Sequence, residues 1–300
     1  MVPPRLHAAL LALFVTFLWS TSWVLIKLGL HDLPPLPFAG LRYALAFLCL
    51  LPFALLEGTR TSRWPGPREL RGLVLLGLVQ YTLTQGAQFL ALAYLPATTL
   101  SLLLTFTPAL VAALAAALLR ESLTAAQAWG TLLLLGGAAL YFGPQAGSGV
   151  SPIGLAVALI GLLANASQVL LGRAFGRAGR LSALQITTVS MGAGAAALLS
   201  GGTLTQGWPV LTEHHLLLLG WLAVVNTALA FTLWNVALRH LSALEASLIN
   251  NTMLVQIALL ALVFLNERPS AVQWAGMALA LVGVVIAQRF SPPRPQRPRA

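Results

Sequence analysis

Uncharged hydrogen-bonding and aromatic side chains stand in the middle of long apolar runs: Trp19 and Ser22, then Gln80, Thr84 and Gln88, then Asn165 and Gln168, then Asn226, Trp234 and Asn235, then Asn250 and Asn251. Amides, hydroxyls and indoles of this kind bind a small polar solute by hydrogen bonds and ring contact. In lipid they face the bundle interior or a wet cavity, because unsatisfied polar groups are costly in hydrocarbon. Gln80, Thr84 and Gln88 recur at i, i+4 and i+8, which places them on one stripe of a helix. The competing use is bonding between helices, worth about 0.6 kcal/mol per residue. Gln and Trp on several repeat-related helices favour a cavity for the set, so all twelve residues are expected to line a substrate cavity. Glu245 is a separate case. With Ser242 it fits a capping box, and its alternative use is as a proton carrier that couples transport.

The elements that must position these residues follow from composition. The 300 residues are 58% hydrophobic and 8% charged, with a mean hydropathy of +0.85. A soluble surface normally needs about 25% charged residues, so the expectation is an all-α integral membrane protein. Apolar runs near 8–28, 36–56, 70–92, 97–119, 125–142, 152–171, 183–200, 215–238, 243–264 and 270–288 give ten transmembrane helices, most near the roughly 20 residues that cross a bilayer core. Of the 17 Lys and Arg residues, fourteen fall on one side of that helix list, leaving only Lys27, Arg42 and Arg268 on the other. This is positive-inside asymmetry, and it places both termini in the cytoplasm. The net charge of +10 is thereby topology, with no nucleic acid as partner. Residues 291–300, rich in Pro and Arg, read as a disordered cytoplasmic tail.

Residues 239–287 align without a gap on 93–141, with fifteen identities over 49 positions that include Ser101 with Ser247, Glu121 with Glu267, Gly130 with Gly276 and Gly137 with Gly283. The chain is thus expected to be two five-helix repeats, 8–142 and 152–288, offset by 146 residues. Five is odd, so the second copy is inverted in the membrane. Inverted repeats enclose a midplane site reached alternately from each side. The offset takes Trp19 to Asn165, Gln80 to Asn226, Gln88 to Trp234 and Thr105 to Asn251, so two half-sites converge.

Enzyme chemistry finds no support. Asp32 is the sole Asp, which excludes an aspartyl intramembrane dyad, and no G-x-S-x-G, H-E-x-x-H or P-loop pattern is present. The five His residues lie near run ends and Cys49 is alone, so no metal and no cofactor is expected. Thr124 with Gln127, Ser182 with Gln185 and Ser270 with Gln273 have capping-box spacing, and Ser151 before Pro152 reads as an N-cap. Gly130 with Gly137, Gly276 with Gly283 and Gly154 with Gly161 are each seven apart and allow close helix approach within the chain; a homodimer face is their alternative use. Pro108 is expected to kink the fourth helix.

Leu18-Trp19-Ser20-Thr21-Ser22-Trp23 followed by Lys27-Leu28-Gly29, the pair Arg42-Tyr43, and the segments Ala97 through Pro108 and Glu121 to Gly137 and Ala243 through Glu267 to Gly283 resemble the drug/metabolite transporter superfamily, in its ten-helix EamA-like branch. The second segment carries Leu254 where the branch commonly has a proline, which puts symmetrical kinking in question. The resemblance implies a secondary transporter that exports small metabolites, often amino acids or related compounds, from the cytoplasm. Abundant Arg with a single Lys points to a GC-rich genome and so to a bacterial inner (cytoplasmic) membrane. Anion carriers of the superfamily use basic cavity residues. Lys27 and Arg42 are the candidates here, and both read as helix-end anchors, which favours a neutral or zwitterionic substrate. The runner-up readings are a carrier for a lipid-linked intermediate and a non-transporting membrane sensor.

Overall fold

The computed structural model describes residues 4–61, 64–119, 124–143, 151–178, 181–238, 240–241 and 243–289. Among these residues the regular structure is entirely helical. The α-helices are α1 (Pro4–Gly29), α2 (Pro35–Thr61), α3 (Pro67–Gly77), α4 (Gly86–Tyr94), α5 (Ala97–Leu104), α6 (Thr107–Leu119), α7 (Ala125–Phe142), α8 (Pro152–Ala178), α9 (Ala183–Gln206), α10 (Glu213–Ala223), α11 (Ala230–Leu238), α12 (Ala243–Asn251), α13 (Met253–Phe264) and α14 (Ala271–Arg289). Two π-helical segments, Leu78–Gln85 and Val224–Leu229, join α3 to α4 and α10 to α11 into continuous rods. The tail at 291–300 lies outside the described residues.

Among the described residues, seven helices are long and apolar enough to cross a membrane, and Ala97–Val111, Leu248–Phe264 and Ala271–Ala287 are shorter apolar helices. Their outward faces carry Leu10, Phe14 and Phe17 on α1, Phe53 and Leu56 on α2, and Leu216, Leu217 and Trp221 on α10, all exposed. Apolar surface on this scale belongs against lipid.

Local chemistry sets several helix starts. The Thr124 and Ser182 hydroxyls accept from the backbone N–H groups of Gln127 and Gln185, whose side chains accept in return from the capping residues. Ser270 and Gln273 repeat the arrangement, and Ser151 Oγ accepts from Gly154 N. Ser242 lies outside the described residues. One further box escaped the sequence pattern: Thr212 pairs with His215, whose Nδ1 takes the place of the usual carboxamide oxygen.

Glycine contacts reveal how the two halves meet. A methyl group placed on Gly130 would lie 2.5 Å from the Gly283 carbonyl oxygen, and one on Gly137 would lie 2.5 Å from that of Gly276. Residue numbers rise along α7 as they fall along α14, so the repeat-related fifth and tenth runs cross antiparallel. The second and seventh runs behave alike: Gly40 of α2 abuts Leu199 of α9, and Gly192 of α9 abuts Phe47 of α2. Antiparallel pairing of equivalent helices is what inversion of one five-helix unit against the other requires. Gly154 and Gly161 of α8 face Leu95 and Ala87, so all three glycine pairs serve contacts within the chain.

The fourth run breaks at Thr105–Phe106, between α5 and α6. Pro108 has no N–H for the Leu104 carbonyl, and the Thr107 hydroxyl donates to that oxygen instead, at 2.7 Å. The ninth run breaks at the repeat-equivalent place, Thr252, although Leu254 stands there instead of a proline. Thr252 Oγ1 donates to the Ile249 carbonyl at 2.6 Å, as Thr105 Oγ1 donates to Leu102 at 2.6 Å. Hydroxyl-to-backbone bonding accompanies both breaks, which answers the question Leu254 raised.

The largest buried cluster joins the end of α1 (Trp23, Ile26), the start of α2 (Phe38, Ala39, Tyr43), the end of α4 and start of α5 (Leu92, Leu95, Ala97, Leu100), α10 (Leu219, Leu222) and the end of α13 (Ala261). With runs alternating in direction, these segments share one end of the bundle, which is therefore packed shut. The start of α1 lies at the other end, where Leu6, Leu10 and Leu13 are exposed.

Candidate substrate cavity

The two π segments occupy repeat-equivalent positions, since adding 146 takes Leu78 to Val224. A π turn widens the helix and moves a side chain off its regular register, a distortion frequent at functional sites. In each, a threonine hydroxyl bonds five residues back: Thr84 to the Val79 carbonyl and Thr227 to the Leu222 carbonyl, both at 2.8 Å. The stripe drawn through Gln80, Thr84 and Gln88 assumed a regular α-helix. Here Thr84 is buried on its own backbone, while Gln80 and Gln88 are half-buried and make no hydrogen bond to other described residues.

Trp19 and Trp234 meet, with ring centroids 5.1 Å apart, and Phe231 lies 5.4 Å from Trp19. This aromatic group joins α1 to α11. The repeat mates Asn165 and Gln88 stand on α8 and α4, which also pack together. Asn165 Nδ2 donates to Thr107 Oγ1 at 2.9 Å, and Asn165 Oδ1 accepts from Gln168 Nε2 at 3.1 Å. Thr107 was missed from the sequence, although its place before Pro108 was the available signal. Thr107→Val should lower stability by about 1–3 kcal/mol, because it strips the donor from the Leu104 carbonyl and the acceptor from Asn165. Thermal unfolding in detergent would measure this, with Thr107→Ser retaining wild-type behaviour.

Asn226 is 1% exposed, and its Nδ2 donates to the Leu18 carbonyl and to Thr21 Oγ1, fastening the second π segment to α1. Its Oδ1 is sealed without a partner. Ser22 is buried and donates to the Trp19 carbonyl of its own helix. A bridge between α1 and α13 uses residues outside the expected set: Ser20 Oγ lies 2.9 Å from Gln256 Oε1, and Gln256 Nε2 donates to Thr252 Oγ1 at 3.1 Å and Thr16 Oγ1 at 3.3 Å. Asn250 is exposed, Asn251 is half-buried, and the Asn235 side chain lies outside the described residues. Glu245 is half-buried in the first turn of α12.

The two cations, both expected to be helix-end anchors, are placed differently. Lys27 is a helix-end anchor, since its ammonium donates to the carbonyls of Leu92 and Leu95 where α4 ends. Arg42 is not an anchor at the interface. It is 5% exposed, its Nε donates to Thr227 Oγ1 at 3.2 Å, and its guanidinium carbon lies 5.3 Å from the Tyr43 ring centroid and 5.9 Å from that of Phe89. Tyr43 in turn donates to Gln85 Oε1 at 2.7 Å. Among the described residues, no group of three His, Cys, Asp or Glu residues could hold a metal ion.

Paired antiparallel repeats, broken and widened helices at matching places, and polar side chains between them define a two-repeat, multi-pass membrane transporter. The chain belongs to the EamA-like transporter family, whose sequence pattern matches it twice, over residues 6–143 and 152–288. An uncharacterized transporter of Bacillus subtilis (strain 168) is 32% identical over 159 residues, 52% of this chain and 50% of that protein, so the match spans half the relative's length. A probable terminal-alkyne amino-acid exporter of Streptantibioticus cattleyicolor is 28% identical over 295 residues, covering 95% of each chain. A probable amino-acid metabolite efflux pump of Escherichia coli (strain K12) is 54% identical over 35 residues, 12% of each chain. A crystal structure aligns over 95% of this chain and 98% of its own with a TM-score of 0.65 at 22% identity, which shows a common fold.

Proposed function

We propose that this protein is a secondary exporter of small neutral or zwitterionic metabolites, amino acids or related compounds, in the bacterial cytoplasmic membrane. It has ten spans and both termini in the cytoplasm. The observation that carries the reading is the pair Gln80 and Gln88, half-buried amides without a hydrogen bond to other described residues, on the rod that meets the opposite repeat through α8. Amides left free at mid-helix suit a hydrated cavity and a changing polar solute. Two relatives named as amino-acid or amino-acid-metabolite exporters support the substrate class. The packed end formed by α1, α2, α4, α10 and α13 acts as the closed outer gate of an inward-facing state, and rocking of one repeat on the other opens it. Transport runs down the substrate gradient or couples weakly through Glu245 in the first turn of α12, because no described Asp, Glu or His lies within the middle of a helix.

The test is efflux from proteoliposomes loaded with radiolabelled amino acids, nucleosides and sugars. Wild type is compared with Gln80→Ala plus Gln88→Ala, a pair chosen because Asn226 also fastens α1. Selective efflux should fall at least roughly tenfold in the double variant, with its melting temperature unchanged, since each substitution removes a solvating amide and no protein bond. Folded wild-type protein that releases no solute would refute an exporter and favour the lipid-carrier alternative.

A further inference from the structure

A buried guanidinium with unspent donors points to a ligand of opposite charge. Arg42, in the first third of α2, is held by its bond to Thr227, which stands near the middle of the α10–α11 rod. The Thr227 hydroxyl donates its proton to Leu222, so its lone pairs are left to receive Arg42 Nε, and this fixes the direction of the fork. Tyr43 and Phe89 cover the guanidinium with ring faces, which replace water only partly. The two terminal nitrogens make no hydrogen bond to any described residue. Nor are they fully enclosed: the enclosed partnerless polar atoms among the described residues are Thr188 Oγ1 and Asn226 Oδ1, so the terminal nitrogens of Arg42 keep a little accessible surface in a residue that is otherwise buried.

No described carboxylate pairs with Arg42. Glu267 sits on the N-terminus of α5, Glu57 accepts from Ser182, Glu69 accepts from Gly66 N, and Asp32 faces His215. A charged side chain inside a membrane bundle usually has a partner or lines a pathway. Arginine presents parallel N–H groups that match a carboxylate bidentately. Lys27, the other cation of this region, is occupied by two carbonyls, so a single unpaired positive charge is on offer. That count fits a monoanion such as a carboxylate better than a phosphate dianion.

We propose that Arg42 is the substrate-binding residue for a carboxylate group, docked through its two terminal nitrogens at the closed end of the cavity. This rests on the transporter reading and narrows its substrate class to carboxylate-bearing solutes, zwitterionic amino acids included. It also gives the packed end a role: a carboxylate there neutralises a cation that both repeats hold, with Arg42 from the first and Thr227 from the second.

The experiment is efflux from proteoliposomes loaded with the twenty amino acids, their carboxamides, sugar phosphates and nucleosides, for wild type, Arg42→Gln, Arg42→Lys and Thr227→Val. Wild type should release acids roughly 100-fold faster than the matched amides, the size of effect seen when one partner of a buried charge pair is lost. In Arg42→Gln the ratio should fall close to one with amide efflux retained. Thr227→Val keeps the charge but loses its aim, and should cost about a tenth of that preference or more. Should Arg42→Gln fail to fold, Arg42→Lys and Thr227→Val carry the comparison. Equal loss of acid and amide efflux would mean a purely structural arginine and overturn the proposal. So would faster efflux of phosphates, or of nucleosides alone, while leaving the transporter intact. No efflux of any solute would remove the transporter reading and the anchor together.

Discussion

Gly137→Leu should yield no monodisperse protein in detergent, and Gly137→Ala should lower stability by about 2–4 kcal/mol, through overpacking at a site that cannot relax. A methyl group at Gly137 meets Ala280 N and the Gly276 carbonyl oxygen, each at 2.5 Å, and Ala280 Cα at 3.0 Å. All three are backbone atoms of α14, so nothing can rotate away. Relief requires α7 and α14 to separate, and their seam also holds Leu134, Tyr141, Met277, Ala280 and Val284, each buried. Lipid gives helices no hydrophobic reason to associate, so close backbone packing is most of what holds such a pair. Gly220→Ala is the control, because a methyl there meets nothing within 4 Å. Thermal unfolding in detergent measures both. Equal melting temperatures for wild type and Gly137→Ala would disprove the seam.

Glu267→Ala should destabilise by about 3 kcal/mol, because it leaves buried donors unpaired at roughly 1–3 kcal/mol each. The Glu267 carboxylate accepts from Ala97 N at 2.7 Å, and from Thr98 N at 3.1 Å and Thr98 Oγ1 at 2.8 Å. Those N–H groups open α5, so the carboxylate of the second repeat caps and charge-matches a helix of the first. Glu267→Gln retains an acceptor without the charge and should lose about half as much. Because the bond ties the α13–α14 connection to the packed end, Glu267→Ala should also make cysteines placed at Thr98 or Leu95 more reactive to a water-soluble thiol reagent. Unchanged melting and labelling would mean that the cap contributes nothing to closure.

Part of this architecture was legible because it is local. Thr124–Gln127, Ser182–Gln185 and Ser270–Gln273 sit three residues apart, and the helix end they satisfy is their own. The glycine pairs could be read as packing faces from a spacing of seven. The pairing itself could not, since Gly130 with Gly283 and Gly137 with Gly276 depends on two helices meeting head to tail. The break at Thr252 was hidden for a different reason. No proline marks it, and a threonine hydroxyl can bond its own backbone or a neighbour with similar ease.

The cavity was legible as a list of polar residues and not as a lining. Ser22, Thr84 and Asn226 have their donors engaged by backbone carbonyls, whereas Gln80 and Gln88 make no hydrogen bond to other described residues; the Ser22 and Thr84 bonds are local to their own helices, while that of Asn226 depends on α1 meeting the second π segment. The π segments made the periodic argument fail within the third and eighth runs, because one widened turn shifts every face after it. Arg42 was misplaced because distance along the sequence from a helix end does not tell which way a long side chain turns.

Composition and spacing along the chain were enough for the apolar surroundings, the repeat and the family: a chain with 8% charged residues needs lipid around it, and segments that align without a gap are copies of one unit. Which polar groups are consumed by the fold could be seen only once the helices were packed. That choice is made between side chains far apart in the chain, such as Arg42 and Thr227 or Trp19 and Trp234, whose meeting depends on how the apolar runs pack against one another.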